Sequence, residues 1–170
     1  MATVTRERGS ALGATDERDL RVPGLLLGIG LGGFVDGIVL HQIAQWHNML
    51  SSTERWPRTT LEGMEANMLA DGLFHTATWV FVALGVYALW SATRAGGHGP
   101  ASGRALLGWS LVGWGLFNVV EGVVDHQILG IHHVRDESLA WDLGFLAFGV
   151  VLVIGGWLLA RADERRAEPA

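Results

Sequence analysis

The sequence contains no cysteine and no lysine, and charged residues make up only 17% of its 170 positions. A soluble domain carries about 25% charged residues, so this chain has unusually few. The lack of cysteine excludes a disulfide scaffold, and the formal net charge of −5 excludes a basic nucleic-acid-binding protein. A hydrophobic content of 49% excludes a disordered chain. Most of the charges lie in the first 21 residues, the last 10, and the links between four long apolar runs, which indicates a membrane protein.

Each of the four apolar runs is long enough to cross a bilayer. A membrane-spanning helix needs about 20 apolar residues, because it rises about 1.5 Å per residue through hydrocarbon about 30 Å thick. We predict membrane helices over residues 23–46, 68–90, 105–129 and 139–160. The fold class that follows is an all-α integral membrane protein, with a four-helix bundle over residues 23–160. The alternative is a soluble protein with four buried helices.

Arginines are distributed unequally between the two sides of the predicted membrane domain. Residues 1–22 and 161–170 carry mixed charges and no apolar core, so we expect flexible polar tails, the first of which is not a secretory signal. The tails and the link between the second and third spans carry nine arginines, whereas the other two links carry three. The positive-inside rule therefore predicts that both termini are cytoplasmic. The two links that carry histidine then face the outside.

A twelve-residue pattern occurs twice, 85 positions apart. Residues 36–47 read DGIVLHQIAQWH and residues 121–132 read EGVVDHQILGIH, with six identities that include two histidines and a glutamine. A weaker similarity aligns Asp71 with Asp142. The pattern predicts two tandem helix pairs, units 23–90 and 105–160, related by an axis along the membrane normal.

Ionisable side chains are costly inside hydrocarbon and normally face the interior of a bundle, where they pair with one another. The predicted spans contain eight of them. We interpret five as candidate metal ligands: His41, Asp71, His75, His126 and Asp142. We expect three to orient those ligands or to relay protons: Asp36, Glu121 and Asp125. At the water boundary we expect three further histidines to capture ions or to be merely interfacial: His47, His132 and His133.

The spacing of two of these residues conflicts with a regular helix. Asp36 and His41 are five positions apart, which corresponds to about 140° around an ideal α-helix. Either a wide arc of the first helix faces the interior, or the helix is distorted near Gly37. The sequence favours neither explanation.

Imidazole and carboxylate ligands together suit Zn, Fe, Mn or Cu(II). The absence of cysteine and the presence of only four methionines count against a Cu(I) site. The sequence therefore favours a membrane-embedded metal-binding protein near the outer face of the bilayer. Such a protein is either a metalloenzyme for a lipid-soluble substrate or a factor that delivers metal to another protein.

Three alternatives would use the same polar residues. A proton or metal-ion transporter or channel would use Asp36 and Glu121 as relay groups near the membrane centre. A haem-binding electron-transfer protein would use His41 and His126 as axial ligands. A structural or assembly subunit would use the buried polar groups only to specify helix pairing.

Three segments carry a resemblance to a known family: GFVDGIVLHQIAQWHNML, NMLADGLFHTATW and NVVEGVVDHQILGIHHVR. At these segments the chain resembles a family of small bacterial membrane proteins that is described as a domain of unknown function, DUF2243. The similarity extends over roughly residues 22–160. The resemblance implies a four-span protein of the bacterial inner membrane, and it implies no activity, cofactor or site residue.

Overall fold

The computed structural model describes residues 19–94, 102–136 and 138–167, with side chains up to residue 162. The elements, in chain order, are α1 (Arg21–Val35), a first π-helix (Asp36–Ile43), α2 (Leu61–Arg94), α3 (Gly103–Glu121), a second π-helix (Gly122–Ile128) and α4 (Leu139–Ala167). These described ranges contain no β-strand. Each π-helix continues the α-helix before it, so the same ranges form four helices that are long and apolar enough to cross a membrane. The predicted all-α fold with four spans is confirmed.

Two of the helices extend well beyond the apolar runs that predicted them. α2 begins at Leu61, seven positions before the predicted span, and α4 continues to Ala167 through part of the expected C-terminal tail. The added turns are rich in alanine, arginine and glutamate, which favour helix but are not apolar. Hydropathy therefore underestimates the lengths of these two helices. Residues 1–18 and 168–170 of the expected tails lie outside the described residues.

The helices are arranged in the order α2–α1–α3–α4, with α1 and α3 packed together in the middle. Glycines let these two backbones approach closely. A Cβ atom built at Gly28 would lie 2.0 Å from the carbonyl oxygen of Ser110, and one at Gly113 would lie 2.3 Å from that of Leu25. Because backbone atoms make these contacts, a larger residue would force the central helices apart. The outer helices α2 and α4 carry many exposed large apolar side chains, as expected of surfaces that contact lipid.

The contacts made by the outer helices recur at regular offsets along the chain. Gly30 of α1 contacts Val82 of α2, and Gly115 of α3 contacts Val153 of α4. The two glycines are 85 positions apart and the two valines are 71 positions apart, the same offsets as in the sequence pattern. These two contacts of the described helices therefore recur at the offsets of the sequence pattern.

The two π-helices account for the spacing that does not fit an α-helix. Their backbone bonds join residues five positions apart, as in the bonds of 2.7 Å from Ala44 N to Val39 O and 2.8 Å from Leu129 N to Val124 O. Such bonding brings residues five positions apart onto one face of the helix. Asp36 and His41 consequently share a face, with 3.1 Å between the Oδ2 and Nε2 atoms. Of the two explanations left open by the sequence, the structure shows the distorted helix.

The links at residues 44–60 and 129–138 cover the same end of the helical bundle. They contact each other through a backbone hydrogen bond of 3.0 Å from Ser52 N to Ile131 O. The longer link is also fixed to α2, because the Asn67 side chain accepts a bond from Leu50 N and donates one to Trp56 O. These bonds hold the links close to the π-helices, where the rings of His47 and His132 contact those of His41 and His126.

Candidate metal centre

Six ionisable side chains meet where the π-helices approach the links, and we call them the six-residue cluster. Its members are Asp36, His41, His47, Glu121, His126 and His132. All six are buried, with at most 4% of any residue exposed. They form three overlapping trios whose ligand atoms lie within 4.8 Å of one another: His41 with His47 and His132, Glu121 with His126 and His132, and Asp36 with His41 and Glu121. Each trio has the residue types and spacing that can hold a metal ion.

The two histidines from the links are oriented by backbone carbonyl groups. The Nδ1 atom of His47 donates to the carbonyl oxygen of Val134 at 2.8 Å, and that of His132 donates to the carbonyl oxygen of Met49 at 3.3 Å. A carbonyl oxygen only accepts hydrogen bonds, so Nδ1 must carry the proton in each ring. The Nε2 atom then presents its lone pair, which is the tautomer required of a metal ligand that uses Nε2.

Burial also keeps these two rings neutral. Burial, together with the neighbouring His41, lowers the pKa of His47 to about 4. Burial, together with the neighbouring His47, lowers the pKa of His132 to about 2. Both imidazoles are therefore neutral at pH 7, and their inward-facing nitrogen atoms can act only as hydrogen-bond acceptors or as metal ligands.

The two histidines from the π-helices are oriented by carboxylates. The Nδ1 atom of His41 lies 3.2 Å from Asp71 Oδ1, and that of His126 lies 3.5 Å from Asp142 Oδ1. Within the described part of the chain, the Nε2 atoms of all four cluster histidines are buried and have no hydrogen-bond partner. A carboxylate behind a histidine is the usual arrangement that fixes the ring of a metal ligand.

The carboxylates of Asp71 and Asp142 are already surrounded by hydrogen-bond donors. Asp71 accepts bonds from the side chains of Gln42 and Asn48 and from the backbone of Met49, at 3.0, 2.7 and 2.9 Å. At the positions 85 residues later, Gln127, His133 and Val134 donate to Asp142 in the same way, at 3.2, 2.7 and 2.9 Å. The two sets of contacts match position for position, which again supports the repeat.

In contrast, the carboxylates of Asp36 and Glu121 face imidazole nitrogens, with Asp36 Oδ2 at 3.1 Å from His41 Nε2. One oxygen of Asp36 and both oxygens of Glu121 are buried and have no hydrogen-bond partner among the described residues. Glu121 Oε1 lies 3.5 Å from the Nε2 atom of His132. A buried carboxylate is costly unless a donor or a cation satisfies it. These oxygens lie beside imidazole nitrogens, an arrangement that could hold a cation.

The structure separates the residues predicted as ligands into three groups. His41 and His126 lie in the cluster, and Asp71 and Asp142 lie behind their rings. His75 lies outside the three trios: its Nδ1 atom is 2.8 Å from the backbone oxygen of Asp71, and a Cβ atom built at Gly37 would lie 2.5 Å from its Nε2 atom.

The three residues predicted to orient ligands or to relay protons also separate. Asp36 and Glu121 lie inside the cluster, whereas Asp125 is half-buried and belongs to none of the trios. His47 and His132, expected at the water boundary, are buried members of the cluster. One signal in the sequence pointed to them, because they are identical residues at corresponding positions of the repeat.

The donor set contains four imidazole nitrogens and the oxygens of two carboxylates. This combination suits a divalent transition metal such as Zn, Fe, Mn or Cu. Three of the four imidazoles make a hydrogen bond through Nδ1, and Nδ1 of His126 lies 3.5 Å from Asp142 Oδ1. A cluster of this kind could hold a metal ion.

Comparison with known proteins identifies one family. The family described as "Predicted membrane protein (DUF2243)" matches residues 23–163, which include most of the four helices and the whole six-residue cluster. No curated protein and no solved structure matches the chain. The match extends over most of the sequence, and the chain therefore belongs to the DUF2243 family of membrane proteins.

Proposed function

We propose that this membrane protein binds a divalent transition metal in the six-residue cluster. The observation that carries the proposal is the convergence of four buried, unpartnered Nε2 atoms on three buried, unpartnered oxygens of Asp36 and Glu121. Unpaired buried polar groups are rare in native proteins, and an ion that is bound between them is a standard explanation. The metal would be Zn, Fe, Mn or Cu, as the ligand types suggest.

In this proposal Asp36 and Glu121 are ligands, and Asp71 and Asp142 orient the imidazoles. The reason is the number of donors around each carboxylate. Asp71 and Asp142 accept several hydrogen bonds and touch the outer nitrogens of the rings. Asp36 and Glu121 accept none with their buried oxygens and lie beside the inner nitrogens.

The burial of the site favours a retained cofactor over a delivered cargo. A delivery factor needs at least one accessible ligand to pass the ion on, whereas every cluster residue is at most 4% exposed. We therefore favour a metalloenzyme or redox protein whose substrate arrives through the surrounding lipid. Asp125 lies near the cluster without a counterpart, since the corresponding residue is Leu40, and it is a candidate for proton transfer at such a site.

Packing argues against a haem group between His41 and His126. The rings of His47 and His132 occupy the space near them, with ring centroids 4.5 Å from His41 to His47 and 4.8 Å from His126 to His132. A porphyrin needs its axial ligands on opposite faces with an open plane between them.

Packing also argues against a transport path across the membrane. On the side away from the links, α1 and α3 are in backbone contact at Gly28 and Gly113. No charged side chain occurs in residues 22–35 or 105–120 of these helices, so the described part of α1 and α3 offers no relay group there.

We also propose that the cluster lies near the outer face of a bacterial inner membrane, with both termini in the cytoplasm. The support is the distribution of arginine described above, because the links that cover the cluster carry three of the twelve arginines. Reporter fusions at the C-terminus and in the 129–138 link would test the orientation.

Metal analysis of the purified protein tests the proposed function directly. Wild-type protein purified in detergent is expected to retain a stoichiometric transition metal, and His126→Ala is expected to retain less of it. His75→Ala is the matched control, because it removes a histidine that lies outside the three trios. Wild-type protein that binds no Zn, Fe, Mn or Cu, or a His126→Ala variant that binds as much as the control, would overturn the proposal.

A further inference from the structure

We propose that the cluster holds two divalent ions, one in each repeat unit, as a dinuclear centre. The inference rests on the proposed function and extends it from one ion to two. It is carried by the division of the donors between the units, by the contacts across the boundary between the units, and by the number of buried carboxylates.

The six ligands divide into two equivalent half-sites. One contains Asp36, His41 and His47, and the other contains Glu121, His126 and His132, each residue 85 positions after its counterpart. Each half-site therefore offers one carboxylate and two imidazoles. Three protein ligands with further positions left for a shared group are typical of catalytic metal sites.

The ligands of the two half-sites approach one another in different ways. The ligand atoms of Glu121, His126 and His132 all lie within 4.8 Å of one another, which is compact enough to hold an ion. In the other half-site, His41 belongs to one trio with Asp36 and to another with His47, and 3.1 Å separates its Nε2 atom from Asp36 Oδ2.

The two half-sites share a boundary. The trio of Asp36, His41 and Glu121 takes members from both units, and it brings the two carboxylates within 4.8 Å of each other. The stacked rings of His47 and His132, with centroids 4.8 Å apart, form a second contact across the same boundary. One ion on each side of this boundary would give two close neighbours, and the ions of two-metal sites are typically about 3.5–4 Å apart. Asp36 and Glu121 would then lie between the ions and could bridge them.

The buried charge agrees with two ions. Four buried carboxylates belong to the cluster or contact its histidines: Asp36, Asp71, Glu121 and Asp142. The sequence has no lysine, and every arginine among the described residues is exposed or half-buried. Uncompensated charge is costly in a buried site. Metal ligands bind in their deprotonated form, and four ionised carboxylates would balance the charge of two divalent ions.

The stoichiometry of metal binding tests the inference. Full-length protein in detergent would be stripped with a chelator and titrated with Zn²⁺, and bound metal would be counted after desalting. We expect about two ions per chain for the wild type and for His75→Ala, and about one for His132→Gln. The variants His47→Gln and His132→Gln damage different half-sites in equivalent ways, so each is a control for the other.

Cu²⁺ provides an independent measure of the distance between the ions. At two equivalents, the EPR signal of the wild type is expected to account for much less than the bound copper, because neighbouring spins couple. In His132→Gln the remaining ion is expected to give the full signal of an isolated Cu²⁺. The wild-type measurements decide the question even if a variant fails to fold.

Each outcome has a distinct meaning. Wild-type protein that binds neither Zn²⁺ nor Cu²⁺ overturns the proposed function and this inference together. A stoichiometry of one ion per chain leaves the proposed function standing and overturns the dinuclear centre. Two bound Cu²⁺ ions with the full signal of isolated spins would place the second ion elsewhere and would also overturn it.

Discussion

His47 and Val134 lie in different links and are joined by a hydrogen bond of 2.8 Å from the imidazole Nδ1 to the carbonyl oxygen. The reciprocal bond joins His132 to the carbonyl oxygen of Met49. Each link therefore orients a histidine of the other link, and neither half of the chain can arrange its part of the cluster alone. The same exchange fixes which nitrogen of each ring faces the centre of the cluster.

Asp142 is expected to support metal binding through His126, since its Oδ1 atom lies 3.5 Å from the outer nitrogen of that ring. The change Asp142→Asn keeps the shape of the side chain and removes its charge. Loss of such a partner typically weakens metal binding by about 10–100-fold. Competition with a chelator of known affinity would measure the change. Asp136→Asn, at an exposed carboxylate, is the control. Complete loss of one ion would instead assign Asp142 as a direct ligand.

The stability of the metal-free protein is expected to fall as the pH drops below about 6.5. The pKa of His47 is lowered from 6.5 to about 4 in the folded protein, so the unfolded chain binds a proton that the folded chain does not. Stability then rises with pH across this interval, by about 1.4 kcal/mol per pH unit for one such proton. Unfolding by a denaturing detergent at several pH values would measure the slope.

The variant His47→Gln checks the origin of this pH dependence. It removes the titrating group, so its stability is expected to vary less steeply than that of the wild type between pH 6.5 and pH 4. An equal slope in the two proteins would show that His47 is not responsible.

Close contact between α1 and α3 is expected to make Gly28 intolerant of any side chain. A Cβ atom at Gly28 would lie 2.0 Å from the backbone oxygen of Ser110. Gly28→Ala should therefore destabilise the protein by about 1–3 kcal/mol or prevent its accumulation, because the central helices must separate. Gly155→Ala is the control, since nothing lies within 4 Å of its Cβ position. Thermal unfolding in detergent would compare them, and equal melting temperatures would contradict the packing described here.

The four spans were predictable because hydrophobic length is a local property of the chain. α4 begins at Leu139, where the sequence predicts it, and the added turns of α2 and α4 escaped prediction because they are helical without being apolar. The offset of 85 positions was equally visible, and Gly30 and Gly115 make equivalent contacts at that spacing. His41 and His126 were singled out because imidazole is unusual in apolar surroundings.

The roles of the carboxylates were harder to predict, because they depend on helix geometry and on distant donors. Counting along an ideal α-helix separated Asp36 from His41, and only the π-helix brings the two onto one face. The donors that surround Asp71 come from the preceding link, and no spacing rule indicates which carboxylate a folded link will reach.

Local hydrophobicity determined the four membrane helices. Identical residues at a fixed offset indicated the repeat, and ionisable residues inside the apolar spans pointed to four of the six cluster residues. Tertiary structure alone decided that His47 and His132 are buried ligand candidates. Their rings are held by carbonyl groups more than 80 positions away in the chain. Every residue has a backbone carbonyl, so the sequence does not show which one accepts the hydrogen bond.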